Sequence, residues 1–396
     1  MRQLTLFSVL CASLLACNAG SSSPAARGND TGSVADPGNP EADSKPKDNR
    51  EMRPFYMGMT SWPYAATIEA VENTQSLVAQ HGDLYAIWLD NGLPWEAAAT
   101  NGPYPQPVLD KLSALNAEFP AHHQRYVSVG LLDLARTELA TDWDGAPRTG
   151  NFAESSFEDP IVRTAYGHWL DLVVERLSPD WFNFAIEVSD LAHHDPDSWE
   201  AGAQLVCALY QGLKSRHPEL NLFFSVALKH PDSATSDRLA TALPAVENCT
   251  DFAAASTYGF MFYGHADAGD PNNLPDQWLS QIQTLIPDKP VVIAETAWPA
   301  EDLNIARWNI ATPSTPAFQE RYVDLLLQEA AALDARLVTW WGVVDFDDLW
   351  QTALNSDPLA SIWRDTGFYD ANLNPRPALD TWTSWLSAAH DSGNHR

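Results

Sequence analysis

Eight short runs of β-branched, aromatic and small apolar residues recur along the chain, at 55–60, 84–89, 125–131, 181–188, 222–228, 252–258, 291–295 and 336–344. Longer stretches separate them, and those at 161–176, 198–216, 276–285 and 315–335 carry the apolar spacing of amphipathic helices. Strand and helix in strict alternation predict a parallel sheet joined by right-handed crossovers. Eight such units in one chain predict an α/β fold of the (β/α)8 TIM-barrel type, whose usual size is roughly 250 residues and more with insertions. An open doubly wound sheet is the competitor, and it usually carries a glycine-rich turn after its first strand. Here the first strand runs into Thr60-Ser61-Trp62-Pro63-Tyr64, which has no glycine. No second linker interrupts 54–390, so this region reads as a single domain.

The segment ahead of it reads differently. Arg2 precedes an apolar run at 4–16 that is too short to span a bilayer and suits a signal-peptide core. The run ends in Leu14-Leu15-Ala16-Cys17, which resembles a bacterial lipoprotein processing site. That resemblance implies that 1–17 is a lipoprotein signal peptide and that Cys17 carries the lipid. Residues 18–53 are rich in Ser, Gly, Pro, Asn and Asp, and too poor in apolar surface to offset ordering, so they read as a disordered tether. The expected location is outside the inner membrane: lipid-anchored to the envelope, with Asn18 arguing for the outer membrane over the inner, or secreted.

A formal charge of −29 repels phosphate backbones and anionic lipid. Nucleic acid is therefore not an expected partner, and membrane contact is expected only through a lipidated Cys17. Beyond the signal region only Cys207 and Cys249 remain; they can pair or stay as two buried thiols. His122-His123 and His193-His194 lack partners at ligand spacing, so neither a metal nor a cofactor is expected. The chain is read as a monomer.

Catalytic residues of such barrels project from the C-terminal ends of the strands. Two carboxylates stand there. Trp-Phe-Asn-Phe-Ala-Ile-Glu delivers Glu187, and Pro-Val-Val-Ile-Ala-Glu delivers Glu295. Strict alternation puts Asn183, Ala185 and Glu187 on the inward face of their strand, with Phe182, Phe184 and Ile186 outward. A carboxylate pair of this kind is the chemistry of glycosidic-bond cleavage. Asp190 is a rival for the first role, and either glutamate can instead be read as half of a structural salt bridge.

In strand order Glu187 closes the fourth strand, Tyr258 the sixth and Glu295 the seventh, while Trp340-Trp341 lies on the eighth. Gly367-Phe368-Tyr369-Asp370, then Asn374-Pro375-Arg376-Pro377-Ala378-Leu379, follows. This set resembles the clan A glycoside hydrolases, retaining enzymes on a (β/α)8 barrel, from Pro54 to about Leu386. The segment around Glu295 is most similar to arabinogalactan endo-galactanases. The resemblance implies Glu187 as acid/base, Glu295 as nucleophile, Tyr258 as a hydrogen bond to it, and one of Trp340 and Trp341 beneath a poly- or oligosaccharide. The family usually has Asn immediately before the acid/base, where it binds the sugar 2-hydroxyl; Ile186 stands there instead. The alternative is thus a catalytically inactive carbohydrate-binding lipoprotein on the same barrel. Trp62, Trp88, Trp95, Trp298 and Trp350 lie at or just past strand ends, as sugar platforms or as packing. Asp90 and Asp345, at the ends of the second and eighth strands, can meet sugar hydroxyls or cap loops.

Overall fold

A computed structural model describes residues 52–262, 265 and 268–391. The expected signal peptide, Cys17 and nearly all of the expected tether lie outside the described residues. Eight parallel strands close into a barrel: β1 (Tyr56–Thr60), β2 (Leu84–Leu89), β3 (Gln124–Val129), β4 (Trp181–Ala185), β5 (Asn221–Ala227), β6 (Ala253–Thr257), β7 (Val291–Thr296) and β8 (Leu337–Trp340). β8 pairs with β1 to complete the ring. The expected (β/α)8 barrel is the observed fold.

A helix follows each strand: α1 (Ile68–Gln80), α2 (Gln106–Glu118), α3 (Pro160–Leu177), α4 (Trp199–Arg216), α5 (Ala234–Ala242), α6 (Ile282–Leu285), α7 (Pro316–Ala332) and α8 (Pro377–Leu386). Their starts follow local chemistry. Thr67 caps α1 by accepting from the Ala70 amide, and Thr315 caps α7 from Phe318 with Pro316 in the first turn. α6 is much shorter than the 276–285 helix expected. Ahead of it the backbone closes in three-residue turns, the Trp278 amide on the Pro275 carbonyl and the Ile282 amide on that of Leu279.

Two apolar layers hold the barrel. Inside, Leu84, Ala86, Tyr126, Trp181, Phe223, Ala254, Val292, Ala294 and Leu337 pack from seven strands, with Tyr56 of β1 against them. Outside, Phe182, Phe184, Val291, Ile293 and Trp340 join the helices in the main core. At the N-terminal end, Met52–Arg53 pairs with Ala389–His390, and the His390 ring stacks on Tyr56 at 3.8 Å. Cys207 on α4 is disulfide-bonded to Cys249, before β6, which decides between the two expectations for these cysteines. Among the described residues no helix is long and apolar enough to cross a membrane.

Candidate active site

The two glutamates reach the barrel mouth through irregularities in their strands. On β4 the register to β5 slips between Asn183 and Ala185, so that Ala185 pairs with Phe224 and joins the outer core. This corrects the expectation that Ala185 faces inward with Asn183. Glu187 then turns back with φ +48°, a left-handed backbone uncommon for a side chain with a Cβ. Hydroxyls replace the lost ladder: Ser225 accepts from the Glu187 amide at 2.8 Å, and Ser189 from the Ala227 amide at 3.0 Å.

β7 does the same. Val292 and Ala294 point into the barrel, so strict alternation would send Glu295 outward. One extra residue between Ile293 and Glu295 resets the register to β6, and Glu295 pairs with Ser256. Single-residue bulges of this kind re-aim side chains beside functional sites.

At the mouth Glu295 is 8% exposed. Its Oε2 accepts from Trp88 Nε1 at 2.6 Å, and its Oε1 accepts from the Tyr258 hydroxyl. Burial, and then the charge of Glu187, push its carboxyl well above the usual range; the Trp88 hydrogen bond and Arg136 oppose. Glu187 is also raised by burial, against the pull of Arg136, while Asp190 pushes it further up and Lys229 draws it down. Glu187 thus lies close enough for its charge to raise Glu295.

Arg136 bridges two carboxylates. Its Nη1 and Nη2 donate to Asp90 Oδ1 and Oδ2 at 3.2 and 2.8 Å, and its Nε and Nη2 to Glu187 Oε2 at 3.3 and 3.1 Å. Asp90, at the end of β2, fits there only because residue 130 is glycine: a Cβ at Gly130 would lie 1.8 Å from Asp90 Oδ1. Asp90 thus holds Arg136, and burial raises its carboxyl while Arg136 opposes. Asp190 is taken by Lys229, 2.7 Å from Oδ1.

The tryptophans divide. Trp341 meets Trp88 and Trp62 at 5.9 Å each and Trp363 at 6.2 Å, forming an aromatic wall beside Glu295. The indole N–H groups of Trp341 and Trp363 are buried and bond no protein atom. Trp340 is fully buried, stacked on Phe368 and bonded to the Thr366 carbonyl, so it lies under the helices and not at the mouth. Trp298 is likewise fully buried, against Tyr322 and bonded to Ser314. Both are therefore corrected from sugar platforms to packing, and of the two readings open for Trp95 the structure has packing, its indole bonding the Ala140 carbonyl. Ile186 is 2% exposed and brings no polar side chain to the mouth.

Among the described residues one group of three carboxylates, Asp345, Asp347 and Asp365, has the spacing of metal ligands. Two arginines meet its charge. Arg376 reaches Asp345 Oδ1 at 2.9 Å and Oδ2 at 2.6 Å, while Arg364 reaches Asp365 at 2.5 Å and Asp347 at 3.5 Å. Asp345 also accepts from the Gly367 amide, so it pins the closing segment and does not face a sugar. Arg136 and Trp88 are the two side chains touching the pair that were not singled out for it from sequence. A lone loop arginine reads as a solvated charge, and the only signal was its place just past a strand end.

No known family model matches this chain, and no curated protein matches it in sequence. Solved structures do. An exo-β-1,4-mannosidase from an Opitutaceae bacterium, strain TAV5, superposes with a TM-score of 0.60 at 12% identity, over 84% of this chain and 59% of that one. This chain therefore spans about three fifths of that protein. A GH5_18 protein from Streptomyces cattleya, in complex with GlcNAc, gives 0.59 at 14%, over 86% and 82%. A fungal β-1,4-galactanase gives 0.53 at 14%, over 83% and 98%. The fold is that of glycoside-hydrolase barrels. At these identities the likeness reaches the fold alone.

Proposed function

We propose that this protein is a retaining glycoside hydrolase acting on a poly- or oligosaccharide. The observation that carries the reading is the pairing of Glu187 and Glu295 at the mouth, each past a register slip in its strand and with the Glu187 charge raising Glu295. A retaining double displacement needs two carboxyl groups roughly 5 Å apart. Glu295 as carboxylate attacks the anomeric carbon while Glu187 gives its proton to the leaving oxygen; Glu187 then takes a proton from the water that releases the sugar. Trp88 and Tyr258 hold both Glu295 oxygens, which fixes the attacking group. The wall of Trp62, Trp88, Trp341 and Trp363 offers flat faces to the C–H side of sugar rings. The mannosidase, the galactanase and the GlcNAc complex support a saccharide as the ligand class.

Reducing-end release from a panel of polysaccharides tests the reading: the full chain is expected to release sugar and Glu295→Gln is not. Binding to one glycan without release by either would leave the inactive carbohydrate-binding lipoprotein. We place the protein outside the inner membrane, anchored through Cys17. Membrane fractionation of cells carrying Cys17→Ala is expected to move it to the soluble fraction, and an unchanged membrane fraction would contradict the anchor.

A further inference from the structure

We propose that Arg136, anchored by Asp90, is the positioning residue that decides when Glu187 holds its proton. The inference rests on the hydrolase reading for its consequence, but its test does not. A guanidinium within hydrogen-bond reach of a carboxylate favours the ionised form, and here it sits on the group that must be protonated before the first chemical step.

The arrangement is built for this contact. Arg136 lies in a tight turn after β3, between the paired residues Leu132 and Leu139. Asp133 Oδ1 accepts from the Thr137 and Glu138 amides, and the Arg136 amide donates to the Asp133 carbonyl. Arg136 itself has φ +57°, a left-handed conformation held by these bonds. The guanidinium also returns to the Asp133 carbonyl at 3.3 Å. It is 9% exposed, and its shortest carboxylate bond is to Asp90, so Asp90 is the anchor and Glu187 the group acted upon.

The other charged groups around Glu187 come from every side. Asp190 follows on its own loop, Lys229 comes from beyond β5 and is occupied by Asp190, Asp90 comes from β2, and Glu295 comes from β7. Tyr126 of β3, below, is a phenol held neutral by burial. Arg136 is the cation in direct contact with the Glu187 carboxylate. Bound this way, Arg136 opposes the burial that raises Glu187, while Glu295, held by Trp88 and Tyr258, is raised further, the reverse of the order double displacement needs. A sugar entering between the carboxylates must therefore draw Glu187 away from Arg136, leaving the guanidinium on Asp90. The contact delays protonation of Glu187 until the site is filled.

The test is carboxyl 13C NMR of the full chain with labelled glutamate, the Glu187 signal being assigned by its loss in Glu187→Gln. In Arg136→Gln the Glu187 midpoint is expected to rise by about one to three pH units, the shift that an adjacent opposite charge produces. In Arg136→Lys, which keeps the charge, it is expected to stay near that of the parent. If Arg136→Gln does not fold, Asp90→Asn/Arg136→Gln, which leaves no uncompensated Asp90, carries the same measurement. A rise of less than one unit in the charge-removing variant overturns the proposal. Because the midpoint is read without turnover, an absence of hydrolysis counts against the enzyme reading and leaves this result standing.

Discussion

Two buried acid clusters share the mouth of this barrel, and they are built on opposite plans. On the β8 side, Asp345, Asp347 and Asp365 are matched by Arg364 and Arg376, and Asp345 has both oxygens on one guanidinium and a backbone amide besides. On the β4 and β7 side, Asp90, Glu187 and Glu295 share a single arginine, and the carboxylate farthest from it is held by a tryptophan and a tyrosine. The first cluster is neutralised and holds Gly367 and Arg376 in place. Burial raises carboxyls in both clusters, Asp345 to about 8 and Glu295 well above its usual range, so what differs is that the second has one arginine among three acids. The difference teaches that burial of acids does not by itself mark a site; the shortage of cations does.

The comparison can be broken by removing one acid from each cluster. Asp345→Asn takes the two-oxygen carboxylate from buried Arg376, leaving it the half-exposed Glu301, and is expected to cost about 3–5 kcal/mol of stability. A loss below about 1 kcal/mol in urea unfolding would mean that the neutralised cluster is not structural. A Trp340→Ala and Trp341→Ala pair sharpens the same division for aromatics. Trp340, stacked in the core, is expected to cost about 3–5 kcal/mol. Trp341 is expected to cost little stability and to lower kcat/KM by about tenfold to a hundredfold, equivalent to about 1.4–2.8 kcal/mol. Equal losses of stability would erase the distinction.

The smallest effect has the opposite sign. A carboxyl raised in the folded state keeps a proton that the unfolded chain has already released above about pH 4.3. Stability therefore falls as pH climbs through that value towards the raised one. Glu295→Gln removes this penalty, so the variant is expected to be more stable than the parent by about 1–2 kcal/mol near neutral pH, a typical gain when a strained functional group is relieved. The gap is expected to close below about pH 4, where both states hold the proton. A variant less stable than the parent at neutral pH would place Glu295 with the structural acids.

Much of this was legible in the residues. The eight β-branched runs predicted the eight strands in order, because a buried parallel strand must be apolar on both faces. Tyr258 was placed on Glu295 by the family resemblance, and the structure has its hydroxyl there. The inward aim of Glu187 was legible from alternation, but that of Glu295 was not. From Val292 and Ala294, alternation sends Glu295 outward, and the one-residue bulge that turns it inward has no sequence signature. The same slip moved Ala185 to the outer core. Trp340 ends β8 and Trp341 follows it, and their opposite directions became visible once Phe368 and Trp88 stood on opposite sides. Arg136 depends on Gly130 making room for Asp90, a relation that exists only in three dimensions.

The central claim is that Glu187 and Glu295 cleave a glycosidic bond. Reducing-end release from plant and microbial polysaccharides, by the full chain and by Glu295→Gln side by side, tests it most directly. The account predicts release from at least one glycan by the parent, reduced about 10³-fold or more in the variant, as for removal of a nucleophile. Equal release by both proteins, or binding of a glycan with no release by the parent, would contradict it.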